Sequence, residues 1–228
     1  MPPASPPAVL PERLRYVAVE GVIGAGKTTL ARMLARRADA RLVLERFDEN
    51  PFLPAFYADP ARWAFQTQLA FLASRFGQQK DLAARDLFQQ QVVADYTFDK
   101  DRIFAHVTLS GDELQLYETL FSLMEPNAPV PDLVVYLRSP VDRLVHNVAL
   151  RGRAYEADMD AAYLAELTDA YDRHFAHYQK GPLLVIDAGR IDFVRDAAAF
   201  EELVRQIADP PSGTRYFNPP PSLQLDFG

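Results

Sequence analysis

"VAVEGVIGAGKTTLARML", residues 17–34, runs from an apolar stretch through three glycines to a Lys-Thr pair and continues with helical spacing. Its central part, Gly21, Val22, Ile23, Gly24, Ala25, Gly26, Lys27 and Thr28, satisfies GxxxxGK[ST] in full. The motif follows a strand-like run, Tyr16–Glu20, and opens a helix through Thr29, which is the context that gives it meaning. Glycines let backbone N–H groups turn inward around phosphate oxygens, and the helix start adds a favourable dipole. Lys27 reaches β- and γ-phosphates, and the Thr28 hydroxyl is a ligand for Mg²⁺. The stretch therefore specifies a nucleoside triphosphate site but not a reaction.

Outward from the loop, short apolar runs recur at "RYVAVEG", "RLVLE", "QVVADY", "DLVVYLR" and "PLLVIDAG", each separated from the next by a helical pattern. Strands buried on both faces and alternating with helices make a parallel sheet. The expected fold is α/β of the P-loop NTPase type, a parallel five-stranded sheet flanked by helices. Helices are predicted over 27–38, 61–88, 99–108, 112–124, 140–151, 160–179 and 193–208. The segment 61–88 has no proline and reads as a long central helix. Residues 1–13 read as a flexible leader, 14–208 as one P-loop domain with a lid at about 151–158, and 209–228 as a Pro-rich tail.

The 228 residues suffice for one domain with a real core. A net charge of −7 argues against a nucleic-acid polymer or an anionic membrane as partner. Without cysteine, thiolate zinc sites, disulfides and cysteine nucleophiles are excluded. The histidines, His106, His146, His174 and His177, do not form HExxH. No apolar run is long enough for a bilayer, and the start lacks a signal-peptide layout, so the expected location is cytoplasmic.

Three further segments narrow the reaction. No Asn-Lys-x-Asp guanine motif is present, whereas "VVADY" offers Asp95 as a carboxylate on the Mg²⁺ side. In "LRGRAYE", Arg151 and Arg153 are spaced to clamp a transferring phosphoryl group from a closing lid. An ordinary basic helix end is the plainer alternative. In "RWAFQTQLAFLASRF", Gln68, Phe71 and Arg75 share one helix face and can hydrogen-bond and stack on a base, although an amphipathic core face has the same spacing.

Taken together these residues resemble the deoxynucleoside kinases, in particular the bacterial deoxyguanosine and deoxyadenosine kinases, over most of 14–208. The resemblance implies a glutamate at the end of the second strand, Glu45. It also implies a sugar-binding tyrosine, Tyr57, ahead of Trp63, a base-reading Gln68 with Arg75, and a lid Arg-x-Arg-x-x-Glu whose Glu156 contacts the sugar. Asp192 and Phe193 in "IDAGRIDF" match the loop that covers the donor's adenine. One departure stands out. The family usually carries Glu- or Asp-Arg-Ser after the third strand, then a base-reading aspartate. Here Asp95 and Asp101 keep those places, but Tyr96 replaces the arginine, and Lys100 and Arg102 both compete to substitute for it.

The resemblance implies ATP as phosphate donor, Mg²⁺ as cofactor and a deoxynucleoside, presumed purine, as acceptor. Gln68, Phe71, Arg75 and Asp101 would meet the base, with Phe47 and Phe104 as further stacking faces, and Tyr57 and Glu156 the sugar. Glu45 and Asp95 compete as the group that takes the 5′-hydroxyl proton. Lys27, Arg151 and Arg153 would stabilise the moving phosphoryl group. The resemblance also implies a homodimer paired through helix 61–88. Two readings compete: a nucleoside monophosphate kinase of the thymidylate-kinase kind, disfavoured by the acidic run "ERFDEN", and a regulatory ATP-binding module without catalysis.

Overall fold

The central strand is β1 (Tyr16–Gly21), buried along its whole length. The computed structural model describes residues 10–84, 90–156 and 159–220. β1 is flanked by β3 (Val92–Ala94) and β4 (Leu133–Arg138), with β2 (Arg41–Val43) beyond β3. Beyond β4 lie β5 (Leu183–Asp187) and β6 (Thr214–Phe217). All pairings are parallel, in the order β2-β3-β1-β4-β5-β6. Because the winding direction reverses at β1, the carboxyl ends of β1 and β3 open a crevice where such sheets bind ligands.

The helices that cover the sheet are α1 (Lys27–Ala38), α2 (Leu53–Ala58), α3 (Pro60–Ala84), α4 (Lys100–Thr108), α5 (Gly111–Met124), α6 (Val141–Arg151), α7 (Ala161–Ala176) and α8 (Ala197–Ala208). The main core lies around β1, β4 and β5, where Val17, Val19, Val135 and Leu184 are wholly buried. A second apolar cluster, centred on Phe56, Leu72, Tyr117 and Phe121, joins α2, α3 and α5. It holds α3 rigidly beside the crevice.

Three features depart from the sequence reading. The sheet has six strands rather than five, because the segment expected as tail contributes β6. Its residues alternate exposed and half-buried on an edge, so no apolar run announces it; prolines on both sides confine it. Arg215 pins it by donating to Gln206 O at 2.7 Å. The helix α2 forms within a proline-containing stretch that reads as loop, since Pro54 falls in its first turn, where a missing N–H costs nothing. Finally, the leader expected over 1–13 is anchored from Leu10, which is buried, and Gln91 Nε2 donates to Pro11 O and Leu14 O, both at 2.9 Å. Residues 1–9, 85–88 of the long helix, 157–158 of the lid and 221–228 of the tail lie outside the described residues. Among the described residues no helix is long and apolar enough to cross a membrane.

Candidate active site

The loop after β1 owes its shape to its glycines. Gly24 has φ of 86°, and a Cβ there would stand 2.7 Å from Leu144 O. Gly26, φ 91°, caps α1, whose first turn carries no side-chain cap. The N–H groups of that turn are thus kept for an anion. From α6, Asn147 Nδ2 donates to Gly24 O at 2.8 Å and braces the loop. Lys27 Nζ donates to Val22 O at 2.9 Å. Burial, reinforced by the charge of Lys100, brings the Lys27 ammonium down to about 8.

Two carboxylates meet at the mouth of the loop. Asp95, after β3, accepts from Thr28 Oγ1 at 2.5 Å through one oxygen and from Glu45 N at 2.8 Å through the other. Glu45 is held between two cations, Arg75 Nη2 at 2.5 Å and Lys100 Nζ. Burial alone would raise its pKa, but Lys100 and Arg75 outweigh burial and bring it down to about 2. Arg75 Nη1 in turn lies 3.1 Å from Asp101 Oδ1. That contact is ionic rather than a well-aligned hydrogen bond, and Arg75 Nη1 and Asp101 Oδ2 are both buried with unused capacity. Burial lifts Asp101 to about 7 against the opposing pull of Arg75.

Of the two candidates for the missing arginine's place, one reaches the carboxylates at the mouth of the loop. Tyr96 points away from the crevice: its hydroxyl donates to Gln78 Oε1 at 2.8 Å and its ring lies 5.0 Å from the Arg75 guanidinium. Arg102 pairs with Glu118 at 2.9 Å on an exposed face. Lys100 alone of the two reaches Glu45.

Gln68 and Phe71 line the same pocket as Arg75, Asp101 and Phe104, with Phe71 5.9 Å from the Arg75 guanidinium. The lid arginines converge on one buried carboxylate. Arg151 Nε lies 3.0 Å and Arg153 Nη1 3.3 Å from Glu156, and Arg153 also sits 3.7 Å from the centre of the Phe47 ring. Tyr57 stacks on Tyr155 at 5.6 Å, beside Glu156, and burial raises its pKa. Asp192 and Phe193 line a second cleft with the phosphate loop and Arg143. Asp192 turns its loop by accepting from Val194 N at 3.1 Å and Arg195 N at 3.0 Å.

The two clefts share Lys27, Thr28, Glu45, Phe47, Asp95, Arg151 and Arg153, so the phosphate loop, both carboxylates and the lid arginines lie where the two spaces join. Sequence reading missed several supporting residues. Asn147 lies four residues before Arg151 on α6, a spacing that could have signalled it. Arg143 donates to Ile191 O at 3.2 Å in the donor cleft. Glu20, buried in β1, accepts from Thr97 N at 2.6 Å and Thr97 Oγ1 at 2.9 Å, which fixes the turn carrying Asp95 to Lys100.

A parallel sheet wound about a phosphate loop, with a carboxylate clamped between donor and acceptor spaces, defines a P-loop kinase. The family model for deoxynucleoside kinases matches residues 17–210, and the chain belongs to that family. It is 33% identical over 199 residues to a deoxyguanosine kinase of Bacillus subtilis (strain 168), covering 85% of this chain and 96% of the relative. It is 31% identical over 201 residues to a deoxyadenosine/deoxycytidine kinase of the same organism, covering 84% and 91%. A solved deoxyadenosine kinase from M. mycoides with bound dATP has the same fold, with a TM-score of 0.74 at 22% identity over 85% of this chain and all of that one. The chain is therefore a nucleoside kinase that binds a nucleotide phosphate donor.

Proposed function

We propose that the protein transfers the γ-phosphoryl group of ATP to the 5′-hydroxyl of a purine deoxyribonucleoside, deoxyguanosine or deoxyadenosine, giving the monophosphate for nucleotide salvage. The observation that carries the reading is Glu45, held ionised by Arg75 and Lys100 where the two clefts meet. The transition state for phosphoryl transfer is loose, so it asks for positioning and charge stabilisation more than for a strong base. Glu45 holds the 5′-hydroxyl and accepts its proton. Asp95, bonded to Thr28, belongs to the metal side. Thr28 and Asp95 offer adjacent hard oxygens, a donor set that fits Mg²⁺ beside phosphates, and the bound ion neutralises phosphate charge. Lys27, Lys100 and the lid arginines meet the charge that develops on the transferring group.

The acceptor pocket favours a neutral nucleoside over a monophosphate. Toward the base end its cation is already paired twice, Arg75 with Glu45 and Asp101, while Lys100, Arg151 and Arg153 sit on carboxylates at the end where the phosphoryl group arrives. The relative named for deoxyguanosine supports a purine base against Gln68. A homodimer is part of the proposal. The pairing surface proposed is the long helix, and among the exposed large apolar side chains Leu116 and Leu123 share a face of its neighbour α5, which extends that surface.

Labelled ATP·Mg²⁺ offered with each of the four deoxynucleosides and their monophosphates tests this. Turnover of deoxyguanosine or deoxyadenosine is expected. Turnover of monophosphates alone would reject the proposal in favour of a monophosphate kinase.

A further inference from the structure

Gln68 is buried in α3, and its Nε2 donates to Thr108 Oγ1 at 3.1 Å. Thr108, the last residue of α4, donates in turn from Oγ1 to Phe104 O at 2.9 Å. A hydroxyl carries one proton. With that proton directed at the Phe104 carbonyl, Oγ1 can only accept from Gln68, so the amide is fixed with its nitrogen toward Thr108. Gln68 Oε1 is buried without a partner, and Gln68 lines the acceptor pocket beside Arg75 and Asp101.

An amide rotated by half a turn has nearly the same shape but exchanges donor for acceptor. That exchange is what distinguishes the two purines. Adenine offers an amino donor at C6 and an acceptor at N1, while guanine offers a carbonyl acceptor at C6 and a donor at N1. For a base held in one pose, one setting of the Gln68 amide matches the first and the other setting matches the second. A free glutamine would read both by flipping.

We infer that Thr108 is a specificity-determining positioning residue: by fixing the Gln68 amide it sets the preference between 6-amino and 6-oxo purine deoxynucleosides. The inference rests on the reading of Gln68 as the base contact. Thr108 lines neither cleft, so it acts through Gln68 and touches no reacting atom. A buried polar group left unpaired by the wrong base is the source of discrimination, and it disappears when the amide can turn to suit either ligand.

The test measures kcat/KM for deoxyadenosine and deoxyguanosine, with saturating ATP·Mg²⁺, in the full chain and in Thr108→Val, Thr108→Ala and Thr108→Ser. Removing the hydroxyl should bring the ratio of the two constants toward unity by about tenfold, while Thr108→Ser keeps it within about threefold. Thr108→Ala serves should the β-branched variant not fold. A merely structural role would lower both constants by a common factor and leave the ratio alone. An unchanged ratio in the hydroxyl-free variants, or no purine preference in the unmodified protein, overturns the inference and leaves the kinase assignment intact. Absence of turnover with either purine removes the functional reading and this inference with it.

Discussion

Arg75 Nη2 lies 2.5 Å from Glu45 Oε1, and this pair joins the long helix α3 to the end of β2 at the boundary between donor and acceptor spaces. The guanidinium does two jobs from one position, since its other nitrogen faces Asp101 at 3.1 Å. In the proposed mechanism base recognition and hydroxyl activation thus share one planar fork.

Glu45→Gln retains the shape but loses the acceptor for the 5′-hydroxyl proton. The expected result is a fall in kcat of about 10²–10⁴-fold, with the affinity for ATP within a factor of a few. Steady-state kinetics with calorimetric ATP titration reads both. A kcat within a few-fold of the unmodified enzyme would transfer the role to Asp95.

Lys100 pairs with Glu45, whereas Tyr96 bonds to Gln78, so the proposed stand-in for the family's arginine is Lys100. Replacing Lys100 by Met removes the strongest of the cations that depress Glu45, so the Glu45 pKa moves up from about 2 toward the ordinary carboxylate range. The acid limb of the pH–rate profile should shift upward by the same sense, together with a drop in kcat. Tyr96→Phe loses only the hydrogen bond to Gln78, costing about 1 kcal/mol of stability, and leaves the profile in place. A Tyr96→Phe profile displaced as far as that of Lys100→Met would refute the assignment.

The loop and the sheet were legible because their signals are local. Each fixed position of GVIGAGKT has a local task, the glycines for the backbone and Lys27 and Thr28 for the phosphates, and strands buried on both faces show as apolar runs. β6 was not legible, because an edge strand of four residues is held by backbone pairing with β5 and by Arg215, neither of which leaves a pattern in TRYF. The competition between Glu45 and Asp95 and that between Lys100 and Arg102 could not be resolved from spacing. Each depends on which way a side chain points after segments far apart in sequence have packed together. Thr108 was invisible for the same reason: its partner Gln68 is forty residues away.

Asp101 titrates in the opposite sense to Glu45. Its folded-state pKa, about 7, lies above the ordinary carboxylate value, so the protonated form is the one that the fold favours. The resulting stability is fully present below the unfolded-state pKa of about 4 and is lost as pH rises through about 7. Asp101→Asn cannot titrate. The difference in unfolding free energy between the unmodified protein and this variant, measured in urea from pH 5 to pH 8, should therefore decline as pH rises. A flat difference would place the Asp101 pKa outside that window. Glu45, depressed to about 2, stays ionised throughout and leaves the comparison clean.

The lid presents a competition between two anions. Arg151 and Arg153 both rest on Glu156, which is buried; in the proposed mechanism each trades part of that partner for phosphate oxygens when donor and acceptor are both bound. Only the transferring group, with charge spread over its equatorial oxygens, offers the planar guanidiniums a better partner than a carboxylate. Arg151→Ala should therefore lower kcat by about 10²-fold or more while leaving nucleoside KM little changed, because its contact is made in the transition state. Glu156→Gln should act the other way round. It frees both arginines and removes the carboxylate expected to meet the sugar, so nucleoside KM rises while kcat falls less. If both variants changed KM alone, the arginines would serve ground-state binding and the lid would have no part in the chemical step.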